Sequence, residues 1–212
     1  MDIAWAACRP SLFFPLLGEG IRVEGPDGSS VSEFLAQAAG IDPAYLARRV
    51  QTVFLNGHPV DDLARTAVRG GDAIALSAAL PGLAGAVLRR GSAYAAMRHS
   101  ITWEGTPGEK GGAGTAAATL KLFNLVAREL GPGLLAAGVR VPGEALCGFL
   151  ERSFPGGAPA GDAVRLDGRP SGAGPWWRGL PPAETHRLRV LPAQETESGA
   201  PGAPREAVSP PS

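Results

Sequence analysis

Cysteine, histidine and net charge are all scarce in this sequence. Its 212 residues include two cysteines and three histidines, and Lys+Arg 20 balances Asp+Glu 20. Cys8 and Cys147 stand far apart, and neither has a histidine or second cysteine at metal-ligand spacing. That argues against a zinc site or disulfide framework and leaves two buried free thiols as the expectation. Formal neutrality removes the overall basic signature of a nucleic-acid or anionic-membrane binder. No stretch approaches the ~20 uncharged apolar residues of a membrane-spanning helix. The apolar run from Pro81 to Leu88 contains Gly82 and Gly85 and stops at Arg89-Arg90. At the N-terminus, acidic Asp2, the short run Ile3–Cys8 and Arg9-Pro10 do not compose a secretory signal. A soluble, cytoplasmic protein is expected, with no cofactor, no metal site, and no nucleic-acid or membrane partner.

Glycine and proline are what the chain has in excess: Gly 30 and Pro 20 make up nearly a quarter of it. At that level turns, loops and tails must be frequent. Ile3–Cys8 reads as a strand, Phe13-Phe14-Pro15-Leu16-Leu17 as part of a long loop, and Gly20–Glu24 as a second strand closing a hairpin with the first. Ser29 or Ser30 caps a helix with Glu33 near its third position and with Val31, Phe34, Leu35 and Ala38 on one face. Gly40 is the expected stop, and Asp42-Pro43 opens a shorter helical turn. Val53–Leu55 then runs into Asn56-Gly57, a pair tolerant of positive φ. The chain re-emerges at His58-Pro59-Val60 and turns again at Gly70-Gly71-Asp72 into an alternating strand at Ala73–Ser77.

A second series follows. Thr119–Leu125 alternates as a strand, Gly131-Pro132-Gly133 reads as a loop, and Gly138–Val141 is the next strand. Pro142-Gly143-Glu144 starts a helix with Leu146, Phe149 and Leu150 on one face, and His186–Leu191 is the last strand. Leu55-Asn56-Gly57-His58-Pro59 matches Leu166-Asp167-Gly168-Arg169-Pro170, and the closing strands lead to Leu80-Pro81 and Leu191-Pro192. A repeat of this length predicts two units of one fold. The expected division is a domain over 1–82, a connector over 83–117 with a short helix, an edge strand at Ser100–Trp103 and a Gly-rich linker, a second and degenerate domain over 118–192, and a disordered tail over 193–212.

Val53–Gly57 and Gly70–Ser77, in this order, resemble the C-terminal half of the β-grasp, ubiquitin-like sulfur carriers, namely the small subunit of molybdopterin synthase and the thiamine-pathway carrier. The resemblance covers residues 1–85 well and 118–192 weakly. It implies an α+β fold in which a single helix covers one face of a small mixed sheet, here in two tandem copies. In that family a partner enzyme adenylates the carboxylate of a C-terminal Gly-Gly tail. Here the corresponding position is followed by more chain, and the sequence ends Ser209-Pro210-Pro211-Ser212. The expected activity is therefore non-catalytic protein–protein interaction, with an activating or molybdopterin- or thiamine-pathway enzyme as the partner the resemblance suggests. The partner-binding residues by this reading are Leu80, Pro81, Gly82, Leu83, Gly85 and Leu88. Two alternatives stand beside it: a sulfur carrier released by cleavage near Gly82–Gly85, and a small-molecule or phosphate binder using Arg89, Arg90 and Arg98.

The remaining chemistry-bearing residues read more simply. His58 is a solvent-facing turn residue, and Asp61-Asp62 is a solvated loop or the cap of a short turn. Gly111–Gly114 lacks the lysine of a phosphate-binding loop. Trp176-Trp177 is expected to cap the sheet or fill the interface between the units. No catalytic residue is expected, and residues 1–104 are expected to fold without the rest.

Overall fold

Residues 1–6, 8–78, 82–98, 101–103, 114–157, 163–172 and 174–192 are described in this computed structural model. The chain is α+β. The first half runs β1 (Asp2–Trp5), a 3-10 turn (Pro10–Phe13), α1 (Phe14–Glu19), β2 (Ile21–Pro26), α2 (Val31–Ala39), α3 (Pro43–Arg49), β3 (Thr52–Leu55), β4 (His58–Pro59) and β5 (Ala73–Ser77). Next comes α4 (Gly82–Leu88) and a 3-10 turn at Ala95–Arg98. The second half runs β6 (Thr115–Phe123), α5 (Asn124–Ala137), β7 (Val139–Pro142), α6 (Gly143–Ser153), β8 (Val164–Leu166), β9 (Arg169–Pro170), a 3-10 turn at Trp176–Gly179 and β10 (Thr185–Val190).

Local signals act where the residues place them. Ser30 and Glu33 form a reciprocal capping box on α2, and Gly40 ends that helix at φ 63. The matched turns share one backbone geometry: Asn56 and Gly57 lie at φ 51 and 83, Asp167 and Gly168 at φ 48 and 80. Asn and Asp adopt this left-handed region at lower cost than other non-glycine residues.

The strands form one ten-stranded sheet in the order β4-β3-β5-β6-β2-β7-β10-β1-β8-β9. That order corrects the expected hairpin of first and second strands. β1 pairs with β10, parallel, and with β8, antiparallel, both from the second half. Conversely β6, from the second half, lies between β5 and β2. Each half therefore lends its first strand to the other, and a boundary near residue 82 or 117 does not follow the sheet.

Packing accounts for the exchange. Trp5 on β1 stacks on Phe154 with ring centroids 4.8 Å apart and meets Phe13 edge-on at 5.4 Å. Phe13 in turn lies 5.5 Å from Phe149 of α6. The first residues thus supply aromatic bulk to the core beneath β7–β10. Trp177 is fully buried, and Trp176 sits 6.4 Å from Trp5. Trp176 thereby joins the aromatic cluster around Trp5, with Trp177 packed edge-on against it at 5.6 Å.

Other departures from the sequence reading have physical causes. Phe13–Leu17 is helical because Phe13, Leu16 and Leu17 are all buried together. The strand read to Leu125 stops at Phe123, and α5 runs straight through Gly131-Pro132-Gly133. At Gly131 a side chain would meet the Phe14 ring at 2.8 Å, so the glycine permits close helix packing and does not mark a loop. Pro132 removes one helical donor, a cost that tertiary contact outweighs. Ile101–Trp103 is not a strand; among the described residues the Trp103 N–H donates to the Pro59 carbonyl at 2.9 Å. The expected Gly-rich linker at 105–113 and the tail at 193–212 lie outside the described residues. Cys8 and Cys147 are free and half-buried, and burial pushes both thiols above their usual range.

The two faces of the central strands differ sharply. On β2, Ile21 and Val23 are buried while Arg22 and Glu24 are exposed; on β10, His186, Leu188 and Val190 are buried while Arg187 is exposed. One face carries the helices, and the other carries charge.

Candidate functional site

Of the partner-binding residues expected from sequence, Leu80 and Pro81 lie outside the described residues. Gly82, Leu83, Gly85 and Leu88 all fall in α4. Leu83 is 67% exposed, Leu88 half-buried and Gly85 buried. Downstream, Tyr94, Met97 and Ile101 are also exposed, Met97 by 66%. This apolar surface is carried on a segment with few apolar anchors of its own.

Arginines hold that segment to the first half. The Arg98 side chain, 1% exposed, donates to the Val87 carbonyl (2.7 Å), Thr102 Oγ1 (2.9 Å) and Asp61 Oδ1 (2.7 Å). Arg90 donates from one terminal nitrogen to the Leu46 and Val50 carbonyls, each at 2.9 Å, and its backbone N–H donates to the Gln51 carbonyl. Burial draws the Arg90 guanidinium below its ordinary range, with Asp61 opposing the shift. An anion captured by Arg90 or Arg98 would have to displace these acceptors, each worth ~1.5–3 kcal/mol as a bond to a charged group. Arg89 alone of the three points to solvent. Asp61, read as a loop carboxylate, anchors the latch; its neighbour Asp62 caps a turn through the Ala64 and Arg65 N–H groups.

A second charged junction ties the halves together. Glu129 on α5 accepts from the Tyr45 hydroxyl at 2.8 Å and from Arg49 of α3. Arg49, then Tyr45, hold the Glu129 carboxyl below the usual carboxylate range. Because the folded value is depressed, the stability this group contributes is present above the unfolded carboxyl pKa of ~4.3 and is lost as pH falls through the folded value. Burial, then Glu129, push the Tyr45 hydroxyl up, so its contribution is intact below the ordinary tyrosine value and lost at higher pH. Glu129→Gln is accordingly expected to lower the urea midpoint at pH 7, with the difference from the wild type shrinking as pH falls below ~4.3. A difference that persists unchanged at pH 3 would contradict the ionic account.

The third feature lies at the middle of the sheet. β2 and β7 are registered at one residue pair, Arg22 with Arg140. Arg140 is registered in turn with Arg187, and Arg187 with Asp2. Three arginines on adjacent strands therefore share one row on the exposed face, at the line where the halves join. Where β2 and β7 part, a cleft of about 320 Å³ is lined by these arginines together with Ala38, Ala39 and Leu134. Arg140 donates to Glu24 at 2.6 Å, and Arg187 to the Ala137 carbonyl at 2.9 Å. Gly138, at φ 100, makes room for that reach, since a side chain there would come within 2.7 Å of Arg187 Nε.

The row left no sequence signal. Arg22 and Arg140 each stand alone on their strands, Arg187 shares β10 with Arg189, and only the pairing of strands far apart in the chain assembles the three. The other singled-out residues behave locally: His58 is exposed with Nδ1 3.1 Å from the Ile101 carbonyl, and Gly70-Gly71 turns into β5 with Gly71 at φ 90. No helix among the described residues is long and apolar enough to cross a membrane. Set against protein-family models, curated proteins and solved structures, the chain matches none.

Proposed function

We propose that this chain is a non-catalytic, ubiquitin-like protein, built from two β-grasp-like halves that have traded first strands, and that it acts by protein–protein contact through the α4 segment. The reading rests on one observation above others: Leu83 and Met97 stand 67% and 66% exposed on a segment that Arg90 and Arg98 hold in place. A rigidly anchored apolar surface loses little conformational entropy when a partner covers it. The β-grasp part is supported by element order. In both halves a helix follows the second strand and precedes a strand, a short edge strand and a last strand.

The carrier alternative is weakened by where its tail would begin. Gly82 and Gly85 are turns of α4, and Gly85 is buried, so a cut there would have to follow local unwinding. The resemblance points to an activating enzyme of the molybdopterin or thiamine pathway as the partner to try. The wild-type chain is expected to bind such an enzyme without forming an acyl-adenylate when ATP is present. Leu83→Ala with Met97→Ala should abolish that binding and shift unfolding free energy by no more than the ~0.5 kcal/mol usual at exposed positions. Adenylate formation on the intact chain, seen by mass spectrometry, would replace this reading with the carrier. Undiminished binding by the double variant would remove α4 as the contact surface.

A further inference from the structure

We infer that the seam between β2 and β7 is a binding site for a small phosphate-bearing anion, held by Arg22, Arg140 and Arg187. Like charges on directly paired strands repel one another, and here three sit in one row. Nearby carboxylates relieve part of that: Glu24 takes Arg140, and Asp2 lies 3.9 Å from Arg187. Arg22 has no acidic partner among the described residues, although it stands beside Arg140. The uncompensated charge therefore falls on the lining of the cleft.

The chemistry of the lining sets the ligand class. Adjacent strands are ~4.8 Å apart, so the three arginines stem from backbone positions spanning ~10 Å, and all three line the cleft. Guanidinium forks suit the oxygens of a phosphate, and a dianion offsets more of the row's charge than a carboxylate does. The cleft volume of about 320 Å³ is at the small end for ligand sites, and Ile21, Val23, Ala38, Ala39 and Leu134 give it apolar walls. Among the described residues no aromatic side chain lines it, which disfavours a stacked nucleobase. A phosphate monoester with a compact aliphatic body fits these walls. The site is separate from the Arg89–Arg98 segment and does not depend on what α4 contacts.

Inorganic phosphate is the first probe, titrated into the full-length protein at constant ionic strength and followed by calorimetry or amide shifts. Saturable binding is expected, with the largest shifts in residues 21–24 and 138–140. Arg22→Gln should weaken it about tenfold, the loss of one charged hydrogen bond. Arg22 is exposed and unpaired, so this variant keeps the fold. Glu24→Gln should tighten binding by removing a competing carboxylate, a sign that a merely damaged site would not show. Arg165→Gln, on the exposed face of β8, is the control and should bind as the wild type does. Non-saturable binding, or equal weakening by Arg165→Gln and Arg22→Gln, would show only a diffuse basic field and overturn the assignment.

Discussion

A fragment ending near residue 104 is expected not to fold. It retains β2, β3, β4 and β5 but lacks β6, the strand that joins β2 to β5, and it carries a β1 whose partners β8 and β10 are absent. Without β6 the first half has two separate strand groups with unpaired edges, and backbone donors there lose their ladder. The complementary fragment, 105–212, lacks β1 from between β10 and β8 and loses Trp5 and Phe13 from its core. Each fragment alone should show poor amide dispersion and no cooperative thermal transition. Mixed in equal amounts, they should recover both, because together they contain every strand. A fragment 1–104 that melted cooperatively by itself would mean that its first strand pairs within its own half, and the exchange would be wrong.

Trp5→Ala is the point substitution expected to cost most. Trp5 is 2% exposed and touches Phe13, Phe154 and Trp176, so its removal opens a cavity amid aromatic rings. Losses of ~3–5 kcal/mol are usual for a buried tryptophan or phenylalanine, a large part of the ~5–15 kcal/mol of a typical domain. The location of the damage is as informative as its size. Hydrogen-exchange protection should fall first in β8 and β10, more than 150 residues away in sequence, with β2 and β3 affected less. Loss of protection centred on β2 would instead place β1 against its sequence neighbour.

Much of the local structure was legible because it rests on short-range chemistry. Ser30 with Glu33, Gly40, Asn56-Gly57 and Asp167-Gly168 each specify a cap or turn through a few atoms, and each is found in the expected place. Strand partners were not legible, since β1 and β6 show the same alternation whichever half they join; only the fit of Trp5 against Phe154 and Trp176 decides it. The helix through Gly131-Pro132 was hidden because a glycine at a close approach looks, in sequence, like a glycine in a loop. The site suffered most. Arg90 and Arg98, both in a visibly basic segment, turned inward onto carbonyls. The arginines that face solvent together are scattered over 165 positions, from Arg22 to Arg187, and meet only through sheet order.

The traded strands also set a timetable for the nascent chain. β1 leaves the ribosome well before its hydrogen-bonding partners, β8 and β10, which lie more than 150 residues further along the chain. At ~5–20 residues per second that interval is roughly 10–40 s, during which Ile3 and Trp5 have no native place to go. The first half cannot finish early either, because the gap between β2 and β5 stays open until Thr115–Phe123 has been made. Vectorial, half-by-half completion during synthesis is thus closed to this topology: the nascent protein has to hold apolar β1 unpaired until β8 and β10 have been released.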